Sequence, residues 1–221
     1  IVKRENSRVA KLIGINKAAR TTCVKPAGTT SLVLGTSSGI HAWHNEFYIR
    51  RLRVGKNEPI YKYLLAHNPD LVQDEYFRPH DTAVIEIPQS APKGSIMRTE
   101  SAFDLLKRIK QVATQWVQPG HRKGSNTHNV SATVSLKSDE WDKAGKWMWD
   151  NRECYNGLAV LPYDGGTYTQ APFEDITKEE YNKRVKLLSD VDLSMIVETT
   201  DETDLSGELA CAGGSCEISS L

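Results

Sequence analysis

The strongest constraint on the fold is a hydrophobic period that switches repeatedly along the chain. Short β-prone runs at Thr21–Val24, Glu46–Val54, Thr82–Ile87, Asn129–Leu136 and Gly157–Leu161 alternate with helical spacing at Glu58–His67, Ser101–Val117, Asp139–Asp150 and Lys178–Leu188. An opening helix over residues 2–13, amphipathic through Val2, Val9, Leu12 and Ile13, stops at Gly14. Ser138 reads as an N-cap, and Thr177 with Glu180 has the spacing of a capping box. Strands alternating with helices predict an α/β architecture around a largely parallel sheet. No internal repeat points to a solenoid or tandem array.

Composition is that of a protein able to bury a core: 221 residues, 39% hydrophobic and 25% charged. No apolar run approaches the roughly 20 residues that cross a bilayer, and the first residues lack a secretion signal, so a cytoplasmic chain with no membrane partner is expected. The chain opens on Ile1 within a helix that reads as already begun, as a fragment or processed piece would. Net charge is zero, yet from Asp190 onward eight acidic residues stand without a Lys or Arg. This divides the chain into a basic body, residues 1–189, and an acidic tail, residues 190–221, which reads as mobile. A body that binds anions beneath a moving tail fits the charges, and so does a solvated surface with a disordered end.

Four segments carry chemistry. Lys25-Pro26-Ala27-Gly28-Thr29-Thr30-Ser31 places a glycine and three hydroxyls at the start of a helical turn, where free N–H groups favour a phosphate. It lacks the Walker spacing, and on spacing alone a simple cap is the better reading. Cys211 and Cys216, separated by Ala-Gly-Gly-Ser, can close a disulfide with little strain and stay open to thiolate attack. A redox shuttle is preferred there over incidental cysteines and over half a zinc site, for which the tail holds no further Cys or His. Ser37-Ser38-Gly39-Ile40-His41 leads into Tyr48-Ile49-Arg50-Arg51, whose arginines face either phosphates or ion-pair partners, with surface charge the commoner case. His41 and His44 read as polar packing residues rather than metal ligands. The polar run Gly120–Asn129 fits an anion edge or a solvated loop. Cys23 and Cys154 read as small buried hydrophobes, since four cysteines are too few for a disulfide scaffold.

Taken together these segments resemble the adenosylcobalamin-dependent (class II) ribonucleotide reductases, and most closely the monomeric, triphosphate-reducing branch known from lactobacilli. The likeness rests on Lys25–Ser31, on Leu34–His41, on Tyr48–Arg51, on Lys123–Val134, on Gly157–Phe173 and on the terminal Cys-x4-Cys. It covers essentially the whole chain. Ala27 departs from the pattern, since relatives often carry Ser there.

The resemblance implies the later part of a ten-stranded α/β barrel with a flexible C-terminal tail. It implies that Pro26, Ala27, Gly28, Thr29, Thr30 and Ser31 hold the phosphates of a ribonucleoside triphosphate. Cys211 and Cys216 would re-reduce an active-site disulfide and be reduced in turn by thioredoxin. Adenosylcobalamin would generate a thiyl radical on a cysteine in the upstream part of the same reductase, so this chain alone would be inactive. No nucleic acid partner is implied. Two other readings remain at this point, a stand-alone thiol oxidoreductase and a non-enzymatic nucleotide-binding module. The first lacks the expected Cys-x-x-Cys, and the second leaves the cysteine tail without purpose.

Overall fold

The computed structural model describes residues 1–27, 30–31, 34–124, 126–163, 168–188 and 190–197. Gly28, Thr29 and the tail cysteines Cys211 and Cys216 lie outside the described residues. The chain divides into two compact units, Ile1–Ala42 with Arg98–Tyr163, and Trp43–Met97 with Asp164–Leu221.

In the first unit α1 spans Val2–Leu12 and ends where Gly14 adopts a φ of +74°, as the sequence predicts. Its apolar stripe, however, is not buried within the chain: Ala10 is its only buried residue, and Leu12 is 74% exposed. The segment expected to form a strand at Thr21–Val24 makes only isolated bridges, Arg20 to His121 and Val24 to Val130. The core lies instead between α2, β1 and α3, defined as Ala102–Val112, Thr133–Leu136 and Trp141–Asp150. Leu105, Leu106 and Ile109 share one helical face and pack with Val130, Val134, Leu136 and Ala144. Ser101 caps α2, its hydroxyl accepting from the Asp104 amide at 3.2 Å.

After α2 the chain widens into a π-helical turn, Ala113–Val117, and stops at Pro119-Gly120. A turn of this kind leaves carbonyls without helical partners. The Thr22 hydroxyl donates to Trp116 O at 2.7 Å, taking one of them. Gly120 is required at the crossing, since a Cβ there would lie 1.7 Å from Thr22 Oγ1. Strand β1 pairs in parallel with β2, Ala159–Pro162, in register Thr133↔Ala159 through Leu136↔Pro162. This strand–helix–strand unit matches the expectation. Ser138 does not cap α3; Glu140 does the local work, its carboxylate accepting from the Lys137 amide at 2.9 Å.

The second unit contains a sheet whose members, in chain order, are β3 (Phe47–Gly55), β4 (Val72–Asp74), β5 (Thr82–Ser90) and β6 (Phe173–Asp175). Their order across the sheet is β4-β5-β3-β6, and every neighbouring pair is antiparallel. The expectation of a largely parallel sheet therefore fails here, and β4 supplies the reason. Helix α4, Pro59–His67, returns the chain from β3 to β4, which runs in the same direction as β3. The turn after β4 then reverses the chain into β5. Three residues are too few to read as a strand from alternation, so the extra reversal is invisible in the sequence. Helix α5, Lys178–Lys186, begins at Thr177, whose hydroxyl accepts from the Glu180 amide at 3.2 Å, as the capping-box spacing predicts.

Candidate functional site

Within the first unit, Val24 lies beside Val130, and the Ser131 amide donates to Val24 O at 2.9 Å. This holds Lys25, Pro26 and Ala27 at an exposed edge, with Lys25 Nζ 3.3 Å from Ser131 Oγ. Thr30 and Ser31 lie in a helical turn, which Leu34 and Thr36 extend by donating to Thr30 O and Ser31 O. Thr30 is exposed, while Ser31 is 2% exposed and its hydroxyl has no hydrogen-bond partner among the described residues. A buried hydroxyl left without a partner costs on the order of 1–3 kcal/mol. Such a group is a natural seat for a ligand oxygen.

Behind this edge lies the Ser38-Gly39-Ile40 turn. Gly39 has a φ of +61°, and a Cβ on it would come within 3.1 Å of Lys25 O and 3.3 Å of Pro26 N. Glycine is therefore required twice over, by the backbone angle and by the close approach. Arg108 of α2 donates to Ile40 O at 3.0 Å while its guanidinium forks onto Glu100 at 3.0 and 2.6 Å. The Glu100 hydrogen bonds raise the Arg108 pKa above its ordinary value against the opposing effect of burial.

In the second unit the two arginines of β3 are buried rather than surface charges. Being adjacent on a strand, they face opposite sides of the sheet. Arg51, 8% exposed, stands opposite Glu86 in the β3–β5 register and donates to it from Nε at 2.7 Å. It also pairs with Glu174 of β6 and donates to Ala171 O at 3.0 Å. Glu86, 2% exposed, receives a second cation, Arg184 of α5, at 3.0 Å. On the other face Arg50 lies 4.4 Å from the Phe173 ring centre. The same ring stacks on His44 at 5.0 Å, and His44 Nε2 is 2.8 Å from Asp175 Oδ1. Burial pushes the Tyr48 hydroxyl pKa up, with Arg50 opposing. Both arginines are thus engaged by partners inside the unit. His44 is a packing residue, as expected. The partner Glu86 escaped sequence reasoning, although a lone acid inside Ala83-Val84-Ile85-Glu86-Ile87 was a visible signal.

The buried-hydrophobe reading of Cys23 and Cys154 is corrected: Cys23 is exposed, Cys154 is half-buried, and both are free thiols. At this bend it is Thr22 that turns inward onto Trp116 O, which leaves Cys23 facing out. Among the described residues no cluster of His, Cys, Asp or Glu is arranged to hold a metal, and no helix is long and apolar enough to cross a membrane.

The backbone is similar to part of a solved class II ribonucleotide reductase. It superposes on the crystal structure of a B12-dependent (class II) ribonucleotide reductase with a TM-score of 0.70 at 25% identity, covering 86% of this chain and 26% of that one. In sequence the chain is similar to the adenosylcobalamin-dependent ribonucleoside-triphosphate reductases of Lactobacillus acidophilus, at 29% identity over 93% of this chain and 27% of the relative. The enzymes of that name from Lactobacillus delbrueckii subsp. bulgaricus and Euglena gracilis are each 28% identical, over 98% and 91% of this chain. The resemblance read from the residues is borne out. The chain spans 27–29% of the length of these relatives. No protein-family model matches it.

Two cavities among the described residues could be considered by size as seats for a corrinoid cofactor. One, of about 470 Å³, is an apolar pocket of the second unit lined by Leu52, Val54, Ile60, Leu64, Ile85 and Leu188. The other, of about 60 Å³, lies in the first unit among Lys3, Lys17 and Arg122. A pocket of a few hundred Å³ suits a drug-sized ligand. A corrin with its nucleotide arm is larger, so neither cavity fits a cobalamin by itself.

Proposed function

We propose that this chain is the C-terminal part of an adenosylcobalamin-dependent ribonucleoside-triphosphate reductase, in which Pro26, Ala27, Gly28, Thr29, Thr30 and Ser31 bind the phosphates of the substrate. The observation that carries the reading is Ser31, a buried hydroxyl without a partner among the described residues, in a helical turn just after an exposed Lys25-Pro26-Ala27 edge. The start of a helical turn and a Lys in the same loop suit an anion. The relatives are named as adenosylcobalamin-dependent, and by the family resemblance that cofactor would supply the radical chemistry of the complete enzyme, at a cysteine elsewhere in the polypeptide.

Cys211 and Cys216 are proposed as the electron carrier. Each turnover converts a ribonucleotide and a dithiol to a 2′-deoxyribonucleotide, a disulfide and water. The tail thiols return that disulfide to the dithiol by exchange, become a disulfide themselves, and receive two electrons and two protons from thioredoxin. The tail from residue 190 would carry them between the two sites. A monomeric, cytoplasmic enzyme is part of the same reading.

The test uses the complete enzyme. Ser31→Ala is expected to raise KM for the ribonucleotide about tenfold, the effect of losing one hydrogen bond to a charged group at the lower end of 1.5–3 kcal/mol. Cys211→Ser and Cys216→Ser are expected to abolish turnover with thioredoxin and to retain it with a small dithiol. An unchanged KM would remove the phosphate role, and loss of turnover with both reductants would remove the shuttle.

A further inference from the structure

We infer that His41 is a positioning residue for the substrate, acting through the phosphate loop; the inference rests on the function just proposed. His41 stands between two backbone groups of opposite kind. Its Nδ1 is 2.9 Å from Ser38 O, and its Nε2 is 3.0 Å from the Thr133 amide nitrogen. A carbonyl only accepts and an amide N–H only donates, so Nδ1 carries the proton and Nε2 presents its lone pair. One imidazole in one tautomer therefore ties the Ser38-Gly39-Ile40 turn to β1.

That turn is the floor of the loop. A Cβ on Gly39 would lie 3.1 Å from the Lys25 carbonyl oxygen and 3.3 Å from the Pro26 nitrogen, tight enough that these neighbours would have to shift by a few tenths of an ångström. A shift of the turn is thus transmitted directly to Lys25-Pro26, where the phosphate-binding backbone begins. Strand β1 also neighbours the loop's other support, Ser131, which holds Val24 and Lys25. His41 closes the ring between these two supports, while Arg108 fastens the same turn to α2 through Ile40 O. No group of His41 needs to touch substrate; it sets where Pro26 and the following amides stand. Aligned donors bind a phosphate in the ground state and the transition state alike, so misplacing them costs binding rather than chemistry.

The experiment is steady-state kinetics on the complete enzyme, with a small dithiol as reductant so that the tail has no part in the result. His41→Ala is expected to raise KM for the ribonucleoside triphosphate about tenfold while kcat stays within about twofold. His41→Gln, whose amide keeps both a donor and an acceptor, is expected to recover part of that loss. Gly39→Ala reaches the loop by a separate route and is expected to raise KM in the same way. An unchanged KM in His41→Ala with normal saturation of the wild type, or a fall in kcat at constant KM, would overturn the inference and leave the phosphate loop standing. Failure of the wild-type enzyme to saturate with ribonucleotide would instead remove the proposed function, and this inference with it. If His41→Ala does not fold, a normal KM in Gly39→Ala overturns the inference, because the turn then does not set the position of the loop.

Discussion

At the scale of single residues, the molecule depends on a few polar groups held where water cannot replace their partners. Glu86 is the clearest, nearly buried between Arg51 and Arg184. Burying Glu86 with Arg51 costs desolvation, and removing the acid leaves buried Arg51 to the exposed Glu174 and half-buried Arg184 to Glu180. Glu86→Ala is therefore expected to lower stability by about 3–5 kcal/mol, read from chemical denaturation followed by circular dichroism. Loss of less than about 1 kcal/mol would mean the pair is solvated in solution. Gly120→Ala is a second case, because its new methyl would overlap the Thr22 hydroxyl. The expected cost is roughly 1–3 kcal/mol, and the double variant with Thr22→Ala should recover part of it.

At the scale of elements, local signals explain where helices start better than which strands pair. Thr177 and Ser101 both accept from the amide three residues on, the first as its capping-box spacing predicts. Ser101→Ala is expected to cost about 1 kcal/mol, measured as a fall in the denaturation midpoint. Asp104 adds a pH dependence. Its carboxyl pKa is held below the ordinary value, first by the Ser101 hydrogen bond. A carboxyl with a lowered folded-state pKa stabilises above its unfolded value and loses that contribution as pH falls through the folded one. The stability difference between wild type and Asp104→Asn should accordingly shrink on acidification below the usual carboxylate range. A difference that grows in acid would contradict the cap geometry.

At the scale of the whole molecule, what the chain shares with its relatives is an α/β framework, over little more than a quarter of their length. The apolar stripe of α1 has no cover among the described residues, although Val9, Leu12 and Ile13 would ordinarily be buried. The isolated chain of 221 residues is expected to give no ribonucleotide reduction, with either thioredoxin or a small dithiol, while the complete polypeptide gives both. Turnover by the isolated chain would mean that one of its own four cysteines carries the radical, and Cys23, being exposed, would be the first to examine.

Much of this was legible in the amino-acid order alone. The parallel β1–α3–β2 unit, the stop at Gly14, the caps at Thr177 and the family likeness are written in neighbouring residues, because period, turn chemistry and short motifs act over a few positions. Pairing is not local. The antiparallel sheet of the second unit turned on β4 and β6, three residues each, which exist as strands only because β5 and β3 offer them partners. The burial of Arg50 and Arg51 was equally out of reach, since a charge is tolerated inside a sheet only when partners arrive from distant segments: Glu86 and Glu174 for Arg51, the Phe173 ring and the Pro172 carbonyl for Arg50. The same holds for His41: the sequence names a histidine two positions after a glycine, but its tautomer was decided by Thr133, 92 positions away.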